Sequence, residues 1–201
     1  MKKLLIATGN NDKLLEIKNY FNDFLTKYKI SLFSQKDFPG INVIEDGKTI
    51  EENALKKAKE FQLYSKIPSL ADDTGLFVEA LNGEPGVYSA RYSGENATYL
   101  DNINKLLFNM KGEKNRKAKF ITVLIFYDGK NIIKSVGECD GIILEIMSGS
   151  LGFGYDPIFF VPEIKKTFSE MTLEEKNSIS HRGKALFDMK KKIIKFYENY
   201  Q

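Results

Sequence analysis

A short apolar run that passes through a glycine straight into an amphipathic stretch leaves a chain few options, and this sequence carries one near its start. KLLIAT reads as a buried strand, and GNNDKLLEIKNYFNDFL reads as a turn feeding a helix. Leu14, Ile17, Phe21, Phe24 and Leu25 recur at helical spacing, with Asn11 or Asp12 as the expected cap. A second helix is expected from TIEE, where Thr49 and Glu52 have capping-box spacing, through Ala54, Leu55, Ala58 and Phe61. A strand ending at SLADD should follow.

KFITVLIFY and NIIKSVGE flank Asp128 and Gly129, the pattern of an antiparallel hairpin, and PIFFV reads as another short strand. KALFDMKKKIIKFYENY sets Leu186, Met189, Ile193 and Tyr197 on one helical face, which suits a core-facing helix. Strand–helix crossovers combined with a hairpin predict an α/β fold around a mixed sheet flanked by helices.

With 201 residues, 42% hydrophobic and 28% charged, the chain has ordinary globular composition. A chain of this size buries roughly 70% of its unfolded surface. One domain over residues 1–201, with two lobes as an option, is the expectation. The formal net charge is only +3 and the basic residues are spread out apart from KKK at 190 to 192, so no nucleic-acid partner is expected. One cysteine, Cys139, and one histidine, His181, supply neither a disulfide nor a zinc-ligand set, which suits a reducing cytoplasm. The apolar run in MKKLLIATGNNDK stops too early for a signal peptide, and no stretch approaches the roughly 20 apolar residues of a membrane span.

LADDTG, residues 70 to 75, places Asp72 and Asp73 side by side despite their mutual repulsion. Asp and Gly are ordinary turn residues, so a solvated turn at a strand end is the plain reading of those six letters. In ATGNNDK a strand runs into Gly9 and a helix start, where backbone N–H groups and the positive helix end can face an anion beside Lys13. A capped helix with a solvated lysine reads equally well there. Lys57 lies four residues after Asn53, on the same helical face.

GKT at 47 to 49 resembles the end of a P-loop, but position 42 is asparagine where the motif needs glycine. GFG in SLGFGYDP lacks the third glycine of a dinucleotide fingerprint and runs towards Pro157. EEKNSISHRGKAL gathers Lys176, His181 and Arg182 around an expected polar turn, where cationic donors suit phosphates or a base edge.

TGNNDKLLEI, ENALKKA, LADDTGLFVEALNGEPGVYSARYSG, GFGYDPIFF and EKNSISHRGKAL occur in this order across nearly the whole chain. Together they resemble the inosine/xanthosine triphosphate pyrophosphatase family. The resemblance implies an elongated, twisted mixed sheet in two lobes with a nucleotide cleft between them, and a homodimer. It also implies hydrolysis of dITP, ITP and XTP to the monophosphate and pyrophosphate with Mg²⁺.

Carried over residue by residue, Asp73 becomes the general base and a metal ligand, Glu45 a second ligand, and Asp72 a support for the site or its metal water. Thr8, Gly9, Asn10, Asn11, Asp12 and Lys13 become the phosphate cradle, with Lys57 as a further phosphate contact. Phe153, Gly154, Tyr155 and Asp156 become the wall around the nucleoside, and Lys176, His181 and Arg182 reach base or phosphates. Thr74 stands where the family usually has serine; it keeps the hydroxyl on a stiffer rotamer. A pyrimidine-preferring septum-associated relative and a nucleotide sensor without turnover are the alternatives. The SHRG segment argues against the first, and the combination of Asp72, Asp73, Glu45 and Lys13 against the second.

Overall fold

In a computed structural model that describes residues 2–199, the chain is an α/β fold built on one mixed sheet of eight strands. Its elements run β1 (Lys2–Ile6), α1 (Asn11–Lys27), β2 (Ile30–Ser34), α2 (Ile50–Ser65), β3 (Ser69–Val78), β4 (Pro85–Gly86), α3 (Tyr99–Asn109) and β5 (Lys117–Tyr127). They continue with β6 (Ile132–Ile143), β7 (Phe159–Val161), β8 (Lys166–Thr167), α4 (Leu173–Ile179) and α5 (His181–Glu198). The strand order is β2-β1-β3-β5-β6-β7-β8, with β4 attached to β3. β1 runs parallel to β2 and β3, whereas β4 on β3, β7 on β6 and β8 on β7 are antiparallel.

The chain divides into two compact units. The first comprises residues 1–73, 122–137 and 185–201, and the second comprises 74–121 and 138–184. Each has its own apolar core. In the first, Ile17, Phe21 and Phe24 of α1 pack with Leu4 and Ile6 of β1, Leu70 of β3, and Leu186, Met189, Ile193 and Tyr197 of α5. The apolar stripe of the last helix therefore lies in a core, as its spacing predicts. In the second, Leu76 and Val78 pack with Ile103 and Leu106 of α3 and with Phe120, Tyr155, Phe159 and Phe168.

Helix starts follow local chemistry closely. Thr49 and Glu52 form the expected capping box of α2, so the GKT letters serve a helix start. The cap of α1 is Asn10, in place of Asn11 or Asp12: its side chain accepts from the backbone N–H groups of Asp12 and Lys13 at 2.9 and 3.0 Å. Three consecutive Asn/Asp residues offer the sequence three candidates, and only the backbone fold selects one.

β3 does not end at the two aspartates. It runs on to Val78 because Leu76 and Val78 are buried apolar residues on one side of the strand, and because β4 pairs there, Leu76 opposite Gly86. Gly75 permits that close pairing, since a Cβ on it would lie 2.9 Å from the Gly86 carbonyl oxygen. Asp72 and Asp73 are consequently mid-strand and buried, where the turn reading put them in water.

Candidate active site

Burial makes the two aspartates chemically demanding, because an ionised carboxylate taken from water needs a partner. Successive residues on a strand point to opposite sides, and each aspartate has found its own lysine. Asp72 Oδ2 lies 3.0 Å from Lys13 Nζ, and Asp73 Oδ1 lies 3.6 Å from Lys57 Nζ. Lys57 also donates to Glu45 Oε2 at 3.0 Å, so the loop before α2 delivers a third carboxylate to the same place. Lys57 is buried, unlike the solvated helix lysine that its spacing alone suggests.

Asn53, one helical turn before Lys57, completes the cluster. Its Nδ2 donates to Asp73 Oδ2 at 3.2 Å, and its Oδ1 accepts from the Gly47 backbone N–H at 2.8 Å. Burial pushes the Asp73 carboxyl above the ordinary aspartate range; Lys57 and Lys13 pull it down, Glu45 and Asp72 push it further up, and the net direction is upward. For Lys57 burial acts downward, but Asp73, Glu45 and Asp72 outweigh it and hold the ammonium above its usual range. The first unit thus packs three carboxylates and two ammonium groups around one stretch of β3.

The rest of the expected phosphate cradle sits at the β1–α1 junction. Thr8 is buried and its Oγ1 accepts from the Asn10 N–H at 3.3 Å, while Gly9, Asn11, Asp12 and Lys13 follow at the helix start. Gly9 and Asn11 are exposed, and Asp12 lies in the first turn.

The second unit holds a different cluster. Lys176 on α4 is buried and donates to Asp156 Oδ2 at 2.6 Å, and the same oxygen accepts from the Phe153 N–H at 2.9 Å. Asp156 therefore fixes both Lys176 and the GFGYD loop. The half-buried Phe153 ring has Lys176 Nζ 4.8 Å and Arg182 Cζ 5.5 Å from its centroid, both within cation–π range. Arg182 also donates from Nη2 to Thr74 Oγ1 at 3.2 Å.

His181, the first residue of α5, is buried and stacks on Phe120 with ring centroids 4.4 Å apart and planes within 12°. Gly154 has positive φ, 62°, in the turn between Phe153 and Tyr155. Tyr155 differs from its expected place in a nucleoside wall: it lies in the second core and donates its hydroxyl to the Ser89 carbonyl at 2.9 Å. Lys176, His181 and Arg182 likewise sit on buried helix faces rather than around an open polar turn, because α4 and α5 follow each other almost without a break.

Sequence reasoning left four residues of these clusters unassigned. Asn53 stood only as a helix mate of Lys57. Phe120 and Phe168, whose rings lie against His181, and Tyr99, 6.0 Å from the Phe153 ring, come from distant segments with no motif to announce them.

Carboxylates and ammonium groups interleaved at one point, with aromatic faces and cations at another, are the groups that enzymes acting on nucleoside phosphates require. The chain belongs to the Ham1 family, whose sequence profile matches residues 4–192. A dITP/XTP pyrophosphatase of Clostridium perfringens is 48% identical over 200 residues, covering 94% of this chain and 96% of that protein. One from Caldanaerobacter subterraneus is 47% identical over 205 residues, covering 98% and 99%. Among solved structures, a HAM1 protein from Coxiella burnetii is 36% identical with a TM-score of 0.88, over 97% of this chain and 100% of that one. The Staphylococcus aureus Ham1 protein is 36% identical with a TM-score of 0.84, over the full length of both chains. The family resemblance drawn from the motifs is met.

Proposed function

We propose that the protein hydrolyses the non-standard purine triphosphates dITP, ITP and XTP to the monophosphate and pyrophosphate, clearing them from the nucleotide pool. The observation that carries this reading is the convergence of Glu45, Lys57 and Asp73 beside the Lys13–Asp72 pair. The names borne by the relatives point the same way.

The reaction needs one bond made and one broken. Water oxygen bonds to the α-phosphorus, the α–β anhydride bond breaks, and pyrophosphate leaves with the electron pair. Asp73 takes the water proton as general base, a role that suits a carboxyl whose affinity for protons burial has raised. Lys13 and Lys57 neutralise phosphate charge, and Asp72 holds Lys13 in position. The cradle of Thr8 to Asp12 presents N–H groups at the start of α1 to the phosphates.

The donor set also fits Mg²⁺. Glu45 and Asp73 already converge on one positive centre, the Lys57 ammonium, and both offer hard oxygens. Among the described residues no group of three or more His, Cys, Asp or Glu is placed to hold a metal ion. One or two carboxylates, with water and substrate phosphate completing the shell, are what Mg²⁺ ordinarily takes. Bound there, the ion supplies charge neutralisation on the phosphates.

Arg182, His181 and Lys176 supply the base contacts, with Phe153 as the stacking face. Donors aimed at a 6-oxo oxygen favour hypoxanthine and xanthine over adenine, whose 6-amino group is itself a donor. Tyr155 and Asp156 support that wall from behind. The reading includes a homodimer, tested by sedimentation, and a cytoplasmic setting, tested by cell fractionation; no helix of the described residues is long and apolar enough to cross a membrane.

The test is pyrophosphate release from dITP, XTP, ATP and GTP with Mg²⁺ and with EDTA. The expected result is turnover of dITP and XTP only with Mg²⁺. Equal turnover of ATP and dITP would overturn the selectivity, and undiminished turnover in EDTA would overturn the metal requirement.

A further inference from the structure

We propose that Asn53 is a positioning residue that locks the Glu45 loop and the Asp73 carboxylate into one rigid unit; this rests on the reading of Asp73 as base and of Glu45 and Asp73 as metal ligands. Its side chain is 1% exposed and bridges two elements: Nδ2 donates to Asp73 Oδ2 at 3.2 Å, and Oδ1 accepts from the Gly47 N–H at 2.8 Å. A carboxamide is suited to this, because it offers a donor and an acceptor on one rigid plane. Glu45 is two residues from Gly47, and Asp73 is the other end of the bridge, so one side chain fixes both carboxylates relative to α2. Asp73 then has one oxygen held by a neutral donor and the other turned to Lys57.

The second observation is the glycine. A Cβ at Gly47 would lie 2.7 Å from Asn53 Oδ1, 2.8 Å from Glu52 Cβ and 3.1 Å from the Asn53 backbone nitrogen. The Gly47 backbone is not in the left-handed region, so it is the close approach of Asn53 Oδ1 and of Glu52 Cβ that favours glycine there. The bridge has therefore shaped both of its ends. Two carboxylates separated by 28 residues in sequence are brought to one lysine by a helix that carries the lysine and the bridge one turn apart.

The functional consequence is specific. Catalysis demands a base and ligands held to within a fraction of an ångström, and a neutral bridge supplies that without adding charge to a site already holding three carboxylates. Nucleotide affinity, carried by the lysines, the cradle and the base contacts, does not depend on the bridge.

The experiment compares wild type, Asn53→Ala, Gly47→Ala and the double variant. Loss of a hydrogen bond to a charged group corresponds to roughly 10- to 150-fold. Asn53→Ala is expected to lower kcat for dITP by about that factor while KM stays within about threefold, and to raise the Mg²⁺ concentration for half-maximal rate. Calorimetry with the non-hydrolysable α,β-methylene triphosphate gives a readout without turnover. Its affinity in EDTA should match wild type, and its gain on adding Mg²⁺ should shrink. Gly47→Ala should act in the same direction, and the double variant should lose less than the two single losses combined, because the clashing Asn53 oxygen is gone.

If Asn53→Ala proves too unstable to assay, Asn53→Ser, which removes the carboxamide and leaves Gly47 untouched, decides by the same split of kcat from KM. Parallel losses in kcat, KM and EDTA affinity, or strict additivity of the two substitutions, would overturn the positioning role. Absence of pyrophosphate release by the wild type would instead overturn the proposed function itself, so the two failures are distinguishable.

Discussion

The carboxylate cluster of the first unit and the aromatic–cation cluster of the second solve the problem of buried charge in opposite ways. Around Asp72 and Asp73 every charge is met by an opposite charge at 3.0 to 3.6 Å, leaving a dense alternation with two lysines among three carboxylates. Around Phe153 the cations outnumber the one carboxylate, Asp156, and lie over rings instead. An arrangement of the first kind tolerates a cation or a phosphate by exchanging partners. One of the second kind offers donors and a flat apolar face, which suits a heterocycle. Under the proposed function, phosphorus chemistry belongs to the first cluster and base reading to the second.

The assignment can be broken most severely at Asp73. Asp73→Asn keeps the volume and should keep the fold by circular dichroism, yet removes the base; kcat is expected to fall by about 10²–10⁴-fold. Retention of more than about a tenth of wild-type kcat would move the base to Asp72 or Glu45. Asp72→Asn should cost less, because Asp72 acts through Lys13.

Lys57→Met sharpens the same side through pH. Only the ionised Asp73 accepts a proton, and its affinity for protons is raised, so activity should be lost as pH falls through that raised value. Removing Lys57 deletes the strongest opposing influence and should shift the acid limb of kcat/KM to higher pH, measured at limiting Mg²⁺. An unshifted limb would contradict the electrostatic account of the cluster.

In the second unit, Gly183→Ala tests the packing that brings Lys176 and Arg182 together. A Cβ there would collide with the Asn177 carbonyl oxygen of α4. Overpacking of this kind typically costs about 1–3 kcal/mol, so the melting temperature should drop and selectivity between dITP and dATP should weaken. The smallest expected effect is at Cys139, whose thiol burial pushes up to about 11. It is scarcely thiolate at pH 8, so alkylation of the native protein should be slow and activity should survive it.

The two clusters also differ in how far the sequence disclosed them. Short-range chemistry was readable: the capping box at Thr49 and Glu52, the stripe from Leu186 to Tyr197, and the β5–β6 hairpin all follow from spacing within a few residues. The Asp-Asp pair was visible too, but its setting was not. Local preference for Asp and Gly in turns lost to the burial of Leu76 and Val78 and to the pairing with β4. Lys57 reads as a solvated helix lysine and Lys176 as part of a polar turn, since nothing within a helical turn announces a carboxylate from another element. The stacking of Phe120 on His181 joins residues 61 positions apart and left no local trace.

The division of labour itself is tested most directly by measuring kcat/KM for dITP, XTP, dGTP and dATP on Asp73→Asn and Arg182→Ala side by side. The account predicts that Asp73→Asn lowers every substrate by the same factor and leaves the preference order intact. Arg182→Ala should cost dITP and XTP roughly 10- to 150-fold, the worth of a charged hydrogen bond, and leave dATP nearly unchanged. A uniform loss from Arg182→Ala, or a changed preference order in Asp73→Asn, would contradict it.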